Sequence, residues 1–193
     1  MEKLRLFLAI DLDETLKEKI FLVKNALEES LPQIKWTKPN TWHLTVKFLG
    51  ETKKDRLEDI KRICKKIIPR YCPFHITLKD ISAFPNLRMP RVIFIDTQIP
   101  EVLNKIYDEL ENEFSHMGFK RDDRKFHPHL TLARIKDIKP FLKEHEKTME
   151  KIKELGKDIS LNLKVEEIIL YQSILSGKGP TYIKIETFRL NDN

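Results

Sequence analysis

Leu6, Leu8 and Ile10 alternate with Phe7, Ala9 and Asp11 near the start of the chain. A strand over Leu4 to Leu12 therefore presents the first trio on one face and the second on the other. The period then lengthens. Leu16, Ile20, Val23 and Leu27 recur at helical spacing and predict a helix over Glu14 to Ser30. A short strand over Ile34 to Thr37 ends at Pro39, and Trp42 to Phe48 alternates strictly until Gly50. Leu57, Ile60, Cys64 and Ile67 mark a second helix from Lys53 to Ile67, closed by Pro69 and Pro73. Phe74, Ile76 and Leu78 form the buried side of the next strand, and Val92 to Asp96 another. Pro100 opens a third helix that runs to Met117. Phe126 to Ile135 reads as a strand and Lys139 to Leu155 as a charged helix. Leu161 to Ile174 and Thr181 to Leu190 pair as a hairpin around Ser176-Gly177-Lys178-Gly179-Pro180.

Interspersed elements with hairpin-like neighbours predict an α+β fold built on antiparallel sheets, not a doubly wound parallel one. No linker or low-complexity segment divides the chain, and its 193 residues suit one domain made of two intimate lobes. One repetition organises the rest. A strand carrying His-x-Thr-x, preceded by a strand and a helix and followed by a helix, occurs once in each half, the two histidines 86 residues apart. Similar lobes facing one another bring those strands together across a cleft.

Six histidines and eleven threonines predict about 0.3 His-x-Thr matches by chance; the chain has three, at His43/Thr45, His75/Thr77 and His129/Thr131. In a strand the His and Thr of each match share a face while the intervening Leu or Ile turns to the core. His43 and His129 have matching surroundings. His75 lies on the strand after the second helix, in a lobe already supplied, and is assigned to the scaffold. Regular alternation puts Lys47 on the face of His43 and Thr45, either adding positive potential there or simply solvated.

Two imidazoles and two hydroxyls suit one reaction in particular. Opening a 2′,3′-cyclic phosphate needs a base for the attacking water and an acid for the departing ribose oxygen, on opposite sides of one phosphorus. Histidine, with an unperturbed pKa of about 6.5, serves in either protonation state. A threonine hydroxyl beside each ring donates to the non-bridging phosphoryl oxygens. The carboxylates do not cluster with these histidines, and nothing in the set calls for a metal or cofactor.

Charge and cysteine usage narrow the setting. The net charge of +6 admits a polyanionic partner, though basic residues also serve solubility. A charged fraction of 34%, rich in Lys, Glu and Arg with only five glycines, is what heat-adapted cytosolic proteins show. Cys64 and Cys72 form neither a C-x-x-C pair nor a metal set and read as reduced thiols. The apolar run Leu6 to Ile10 is too short for a signal segment, and no stretch has membrane-spanning length. A soluble cytoplasmic protein is expected.

Trp42-His43-Leu44-Thr45-Val46-Lys47-Phe48-Leu49-Gly50 and Phe126-His127-Pro128-His129-Leu130-Thr131-Leu132-Ala133-Arg134 resemble the paired signatures of the 2H phosphoesterase superfamily. Within it the chain is most similar to the RNA 2′,3′-cyclic phosphodiesterases, also called 2′-5′ RNA ligases. Arg5 to Asp11, Ala83-Phe84-Pro85, Pro90-Arg91-Val92, Leu170 to Ser173 and Gly179 to Tyr182 extend the likeness over essentially the whole chain. The resemblance implies two lobes whose antiparallel sheets line a central cleft, helices outside, with one His-x-Thr strand on each wall. It also implies hydrolysis of an RNA 2′,3′-cyclic phosphate to a 2′-phosphomonoester. It further implies joining of tRNA halves through a 2′-5′ linkage as a secondary activity; a monomer with no membrane partner is expected.

On that reading His43 protonates the leaving 3′ oxygen and His129 activates water, although the opposite assignment fits the residues equally. Arg134 is expected to contact phosphate, reaching around a strand end because strict alternation turns it away from His129. Phe7 either stacks on a nucleobase or packs within the wall. His127, before Pro128, reads as structural. The rival readings are the same fold acting on a small cyclic phosphodiester and a non-catalytic RNA-binding module.

Overall fold

The computed structural model describes residues 2–32, 34–143, 145–157, 159–177 and 179–191. Strands β1 (Lys3–Asp11), β3 (His43–Lys53), β8 (Glu167–Ser176) and β9 (Gly179–Arg189) form one sheet in the order β3-β1-β8-β9. Strands β2 (Lys35–Trp36), β4 (Phe74–Phe84), β5 (Val92–Gln98), β6 (Leu130–Arg134) and β7 (Ser160–Val165) form a second, in the order β2-β6-β5-β4-β7. Every pairing is antiparallel, and each sheet takes one of the two matched His-x-Thr segments. The expected α+β class with two antiparallel sheets is the one that forms.

Helices α1 (Glu14–Ser30), α2 (Leu57–Ile67), α3 (Glu101–His116), α4 (Lys139–Lys143) and α5 (His145–Lys157) cover the outer faces. Asp13 caps α1 by accepting the Leu16 amide at 2.8 Å, which satisfies one of the donors a helix start leaves open. Gly118, at φ +82°, ends α3 in the left-handed conformation, and the Phe119 amide turns back to the Phe114 carbonyl at 3.0 Å. Helix α2 lies against α3 and over β9, where Lys61 and Lys65 meet Glu186; α5 packs on β4 and α1 on α5. Leu6, Leu8 and Ile10 enter the main core, each side chain worth about 1.5–3 kcal/mol on burial. Phe7 and Ala9 join a small second cluster with Ile169 and Tyr171 on the opposite face of the sheet.

Four segments differ from the sequence expectation. Strand β3 continues past Gly50 to Lys53, because Gly50 takes φ +69° and absorbs a bulge that a side chain would strain. Helix α2 consequently starts at Leu57. The strand expected over Phe126 to Ile135 pairs only from Leu130 to Arg134, since Pro128 lacks the amide that a ladder needs. The segment read as one strand from Leu161 to Ile174 is two, β7 and β8, one in each sheet, separated at Glu166. The helix expected over Lys139 to Leu155 forms as α4 and α5 on either side of residue 144, which lies outside the described residues. Strands β8 and β9 form the expected hairpin; Lys178 of its turn lies outside the described residues.

Candidate active site

Both matched histidines are held in the same way. His43 starts β3, at an edge of its sheet, and its Nδ1 donates to the Thr41 carbonyl at 2.9 Å. His129 immediately precedes β6, and its Nδ1 donates to the His127 carbonyl at 2.8 Å. In each case the acceptor lies two residues back. A carbonyl only accepts, so Nδ1 carries a proton in the neutral ring and the lone pair resides on Nε2. Among the described residues neither Nε2 makes a hydrogen bond, nor does either hydroxyl of Thr45 and Thr131. Four polar groups are thus left open, two on each wall.

The repetition extends to the strands themselves. Thr45 pairs with Ala9 and Lys47 with Leu8, which leaves Val46 as an extra residue. Thr131 pairs with Phe94 and Ala133 with Ile93, which leaves Leu132 as an extra residue. A β-bulge therefore occupies the fourth position of both His-x-Thr-x segments. Each bulge reverses the alternation beyond it. Arg134 consequently reaches the His129 side directly, with no need to pass around a strand end. Phe48, at the equivalent place in β3, pairs with Phe7 on the cleft face and is 62% exposed.

The same reversal corrects the expectation for Lys47. It does not share a face with His43, nor is it solvated: it is 5% exposed and ion-paired with Glu111 of α3. Its Nζ also donates to the Lys120 carbonyl at 3.2 Å. Lys47 thereby fastens the four-stranded sheet to the helix behind it.

Electrostatics link the walls. Burial holds His43 below the ordinary imidazole value of 6.5; the Thr41 carbonyl and Asp11 oppose that, while the charges of Arg134 and His129 add to it. His129 is likewise held low, chiefly by burial. The His127 carbonyl and Asp96 raise it, and the His127 ring and Arg134 push it down. Burial lifts the Tyr182 hydroxyl on β9, again with Arg134 opposing. The Arg134 charge thus bears on His43 and Tyr182 of one sheet and on His129 beside the other.

The surroundings of the two rings differ. His43 lies 5.0 Å from the ring centres of both Phe7 and Tyr182. Asp11 sits opposite it in the β1–β3 register and accepts the Tyr171 hydroxyl at 2.7 and 2.8 Å. A cavity of about 200 Å³ opens there, lined by Asp11, Lys17, Thr41, His43, Tyr182 and Lys184 among others. His129 rests on Phe84 and Phe94, at 4.9 and 4.8 Å, and the neighbouring His127 Nε2 meets Asp96 at 2.6 Å. Phe7 is only 3% exposed and forms the floor beneath His43 and Tyr182. His75 stands on β4 opposite Lys164, two strands from β6.

Sequence reasoning missed Asp11, Tyr171 and Tyr182, whose proximity to His43 depends on strand register. It also missed Thr37. Among the described residues no three His, Cys, Asp or Glu side chains converge as a metal set, and no helix is long and apolar enough to cross a membrane.

A family model for LigT-like phosphoesterases matches the chain twice, over residues 10–94 and 93–182, once for each half. The chain belongs to that family. This LigT-like phosphoesterase is 34% identical over 188 residues to the RNA 2′,3′-cyclic phosphodiesterase of Methanothermobacter thermautotrophicus, covering 97% of this chain and 100% of that one. It is 36% identical over 180 residues to the enzyme of the same name from Methanocaldococcus jannaschii, covering 93% and 96%. Among solved structures, TT0787 of Thermus thermophilus superposes with a TM-score of 0.79 at 26% identity, over 96% of this chain and 97% of that one. Escherichia coli LigT complexed with 3′-AMP shares the fold, with a TM-score of 0.76 over 99% and 100% of the two chains at 23% identity. The double match agrees with the repeated ring anchors and the repeated bulges.

Proposed function

We propose that this LigT-like phosphoesterase opens terminal 2′,3′-cyclic phosphates of RNA to 2′-phosphomonoesters by acid–base catalysis between His43 and His129. The observation that carries the reading is the repeated anchoring of the two imidazoles, Nδ1 on a carbonyl and Nε2 left open, on facing walls. The names of relatives that cover essentially the whole chain supply the substrate class.

His129 Nε2 takes a proton from water as the water oxygen attacks phosphorus. The P–O3′ bond breaks, and His43 Nε2 delivers a proton to the departing 3′ oxygen. The 2′ ester remains. Thr45 and Thr131 donate to the two non-bridging oxygens, where charge develops, and Arg134 offsets it. His129 stands on the more open wall, which favours it for handling water. His43 is the deeper ring, and the Asp11 charge beside it supports its protonated form. A ribose 5′-hydroxyl in the place of water gives a 2′-5′ linkage with no nucleotide cofactor, and tRNA halves with cyclic phosphate ends suit that reaction. Phe48 offers an open aromatic face on the cleft for a nucleobase, with Phe7 as its support. One core shared by side chains of both sheets supports treating the whole chain as one two-lobed unit.

The test is incubation in EDTA with an oligonucleotide ending in a 2′,3′-cyclic phosphate, beside a 2′,3′-cyclic mononucleotide, followed by product identification. Conversion of the oligonucleotide to a 2′-phosphate is the expected result. Turnover of the mononucleotide alone would transfer the site to small cyclic phosphodiesters. Binding without turnover, unaltered in His43→Ala and His129→Ala, would make the cleft an RNA-binding module.

A further inference from the structure

The segment between β2 and β3 is the bridge from one wall to the other. Strand β2 pairs with β6, Trp36 opposite Ala133, and six residues after Thr37 the chain reaches His43. Four hydrogen-bond contacts converge on Thr37. Its amide donates to the Leu132 carbonyl at 2.8 Å. Its hydroxyl is shared between the carbonyls of Thr131 and Leu132, at 2.8 and 2.9 Å. That same hydroxyl accepts the Trp42 indole N–H at 2.8 Å. Leu132 is the residue that the β6 bulge leaves without a partner in β5, so Thr37 satisfies the bulge from its other side.

These contacts form a short closed path. It runs from Thr131, two residues beyond His129, through the Thr37 hydroxyl to Trp42, the residue before His43. A turn over Pro39–Thr41 stiffens the bridge, with the Thr41 and Trp42 amides on the Lys38 and Pro39 carbonyls. The Thr41 carbonyl then holds the His43 ring itself. Trp42 is 3% exposed, so its N–H has little access to water if Thr37 is lost. A hydroxyl serves both partners because it carries one proton and two lone pairs. Valine has nearly the same shape and neither function.

We propose that Thr37 is a positioning residue that sets the spacing of the His43 and His129 imidazoles, acting through the Trp42 indole and the Thr131 and Leu132 carbonyls. This rests on the acid–base reading above. In-line displacement needs both rings at fixed distances from one phosphorus, and an error of 1 Å costs about 10²-fold in rate. The bulge that Thr37 satisfies also directs Arg134, so one hydroxyl controls ring spacing and the placement of the cation together.

Steady-state kinetics on an oligonucleotide ending in a 2′,3′-cyclic phosphate test the role, with folding at the assay temperature checked by circular dichroism. Thr37→Val is expected to lower kcat by about 10- to 100-fold with little change in KM. Thr37→Ser rescues most of that loss. Trp42→Phe lowers kcat as well, and Thr37→Val/Trp42→Phe is no slower than Thr37→Val, because both remove one linkage. In Thr37→Val the imidazole titrations of His43 and His129, followed by proton NMR, move to higher pH as Arg134 withdraws. Wild-type kcat in Thr37→Val, equal losses in the Val and Ser variants, or losses that multiply in the double variant overturn the proposal. Where Thr37→Val does not fold, Trp42→Phe carries the test, and an unchanged kcat there overturns it. His43→Ala and His129→Ala are assayed alongside. Their turning over like wild type overturns the acid–base reading; their inactivity beside a fully active Thr37→Val overturns only the spacing role.

Discussion

The His43 and His129 walls share a backbone device and differ in almost everything placed on it. Both fix Nδ1 on the carbonyl two residues back, and both bulge at the position after threonine. Yet the residue that each bulge turns into the cleft is Phe48 on one wall and Arg134 on the other. His43 is enclosed by Phe7 and Tyr182 with Asp11 beside it, whereas His129 is more open and adjoins the His127–Asp96 pair. A repeated scaffold has thus been divided into a half that sets aromatic rings and Asp11 around its histidine, and a half that carries Arg134. Different environments around equivalent titratable groups are how one reaction obtains both an acid and a base.

Removing either ring is the most severe way to break the comparison. His43→Ala and His129→Ala are each expected to lower kcat by about 10²–10⁴-fold, with the double variant little worse than either, since the two act as a unit. A substrate with sulfur at the 3′ bridging position sharpens the result, because a thiolate leaves without a proton. It should restore His43→Ala and not His129→Ala; the reverse outcome exchanges the acid and the base. Next in size is the fastening behind the His43 wall. Lys47→Ala leaves Glu111 buried without its partner and should cost about 3–5 kcal/mol in urea unfolding. The pair replacement Lys47→Met/Glu111→Leu should recover most of that, with kcat retained. A large fall in kcat in the stable double variant would return Lys47 to the cleft.

Thr45→Val and Thr131→Val each remove one donor to the phosphoryl oxygens and should lower kcat by about 10²-fold, with folding intact. The pH dependence gives a smaller and more diagnostic effect. With both imidazoles held below 6.5, the product of one protonated and one neutral ring peaks on the acid side of that value in the free protein. The kcat/KM profile should therefore have its optimum below pH 6.5. Arg134→Met removes a charge that depresses both rings, so both limbs should move to higher pH as kcat/KM falls. A profile that keeps its position would separate Arg134 from the histidines. His75→Ala should leave the kinetics unchanged.

Much of this site was legible in the residues because alternation is a strong signal over short strands. Leu6, Leu8 and Ile10 against Phe7 and Ala9, and the shared face of each His-x-Thr, follow from a period of two alone. The errors lie where that period breaks. Lys47 was placed on the wrong face, and Arg134 was given an unnecessary detour, because a bulge at Val46 or Leu132 leaves no mark in the hydrophobic pattern. One clue lies in the spacing: Phe48 and Arg134 both stand five residues after their histidines, at equivalent positions of the two segments. The Thr37–Trp42 linkage and the Asp11–Tyr171 contact could not be read at all. The first depends on how the short segment between β2 and β3 turns, the second on β1 and β8 becoming neighbours in one sheet, and neither leaves a mark in local periodicity.

The bulge after threonine has a consequence for anyone transplanting this chemistry. A tetrapeptide His-x-Thr-x grafted onto a regular strand of another protein would deliver its imidazole and hydroxyl, and send the following functional residue to the wrong side. The transferable unit is six residues with one insertion in register.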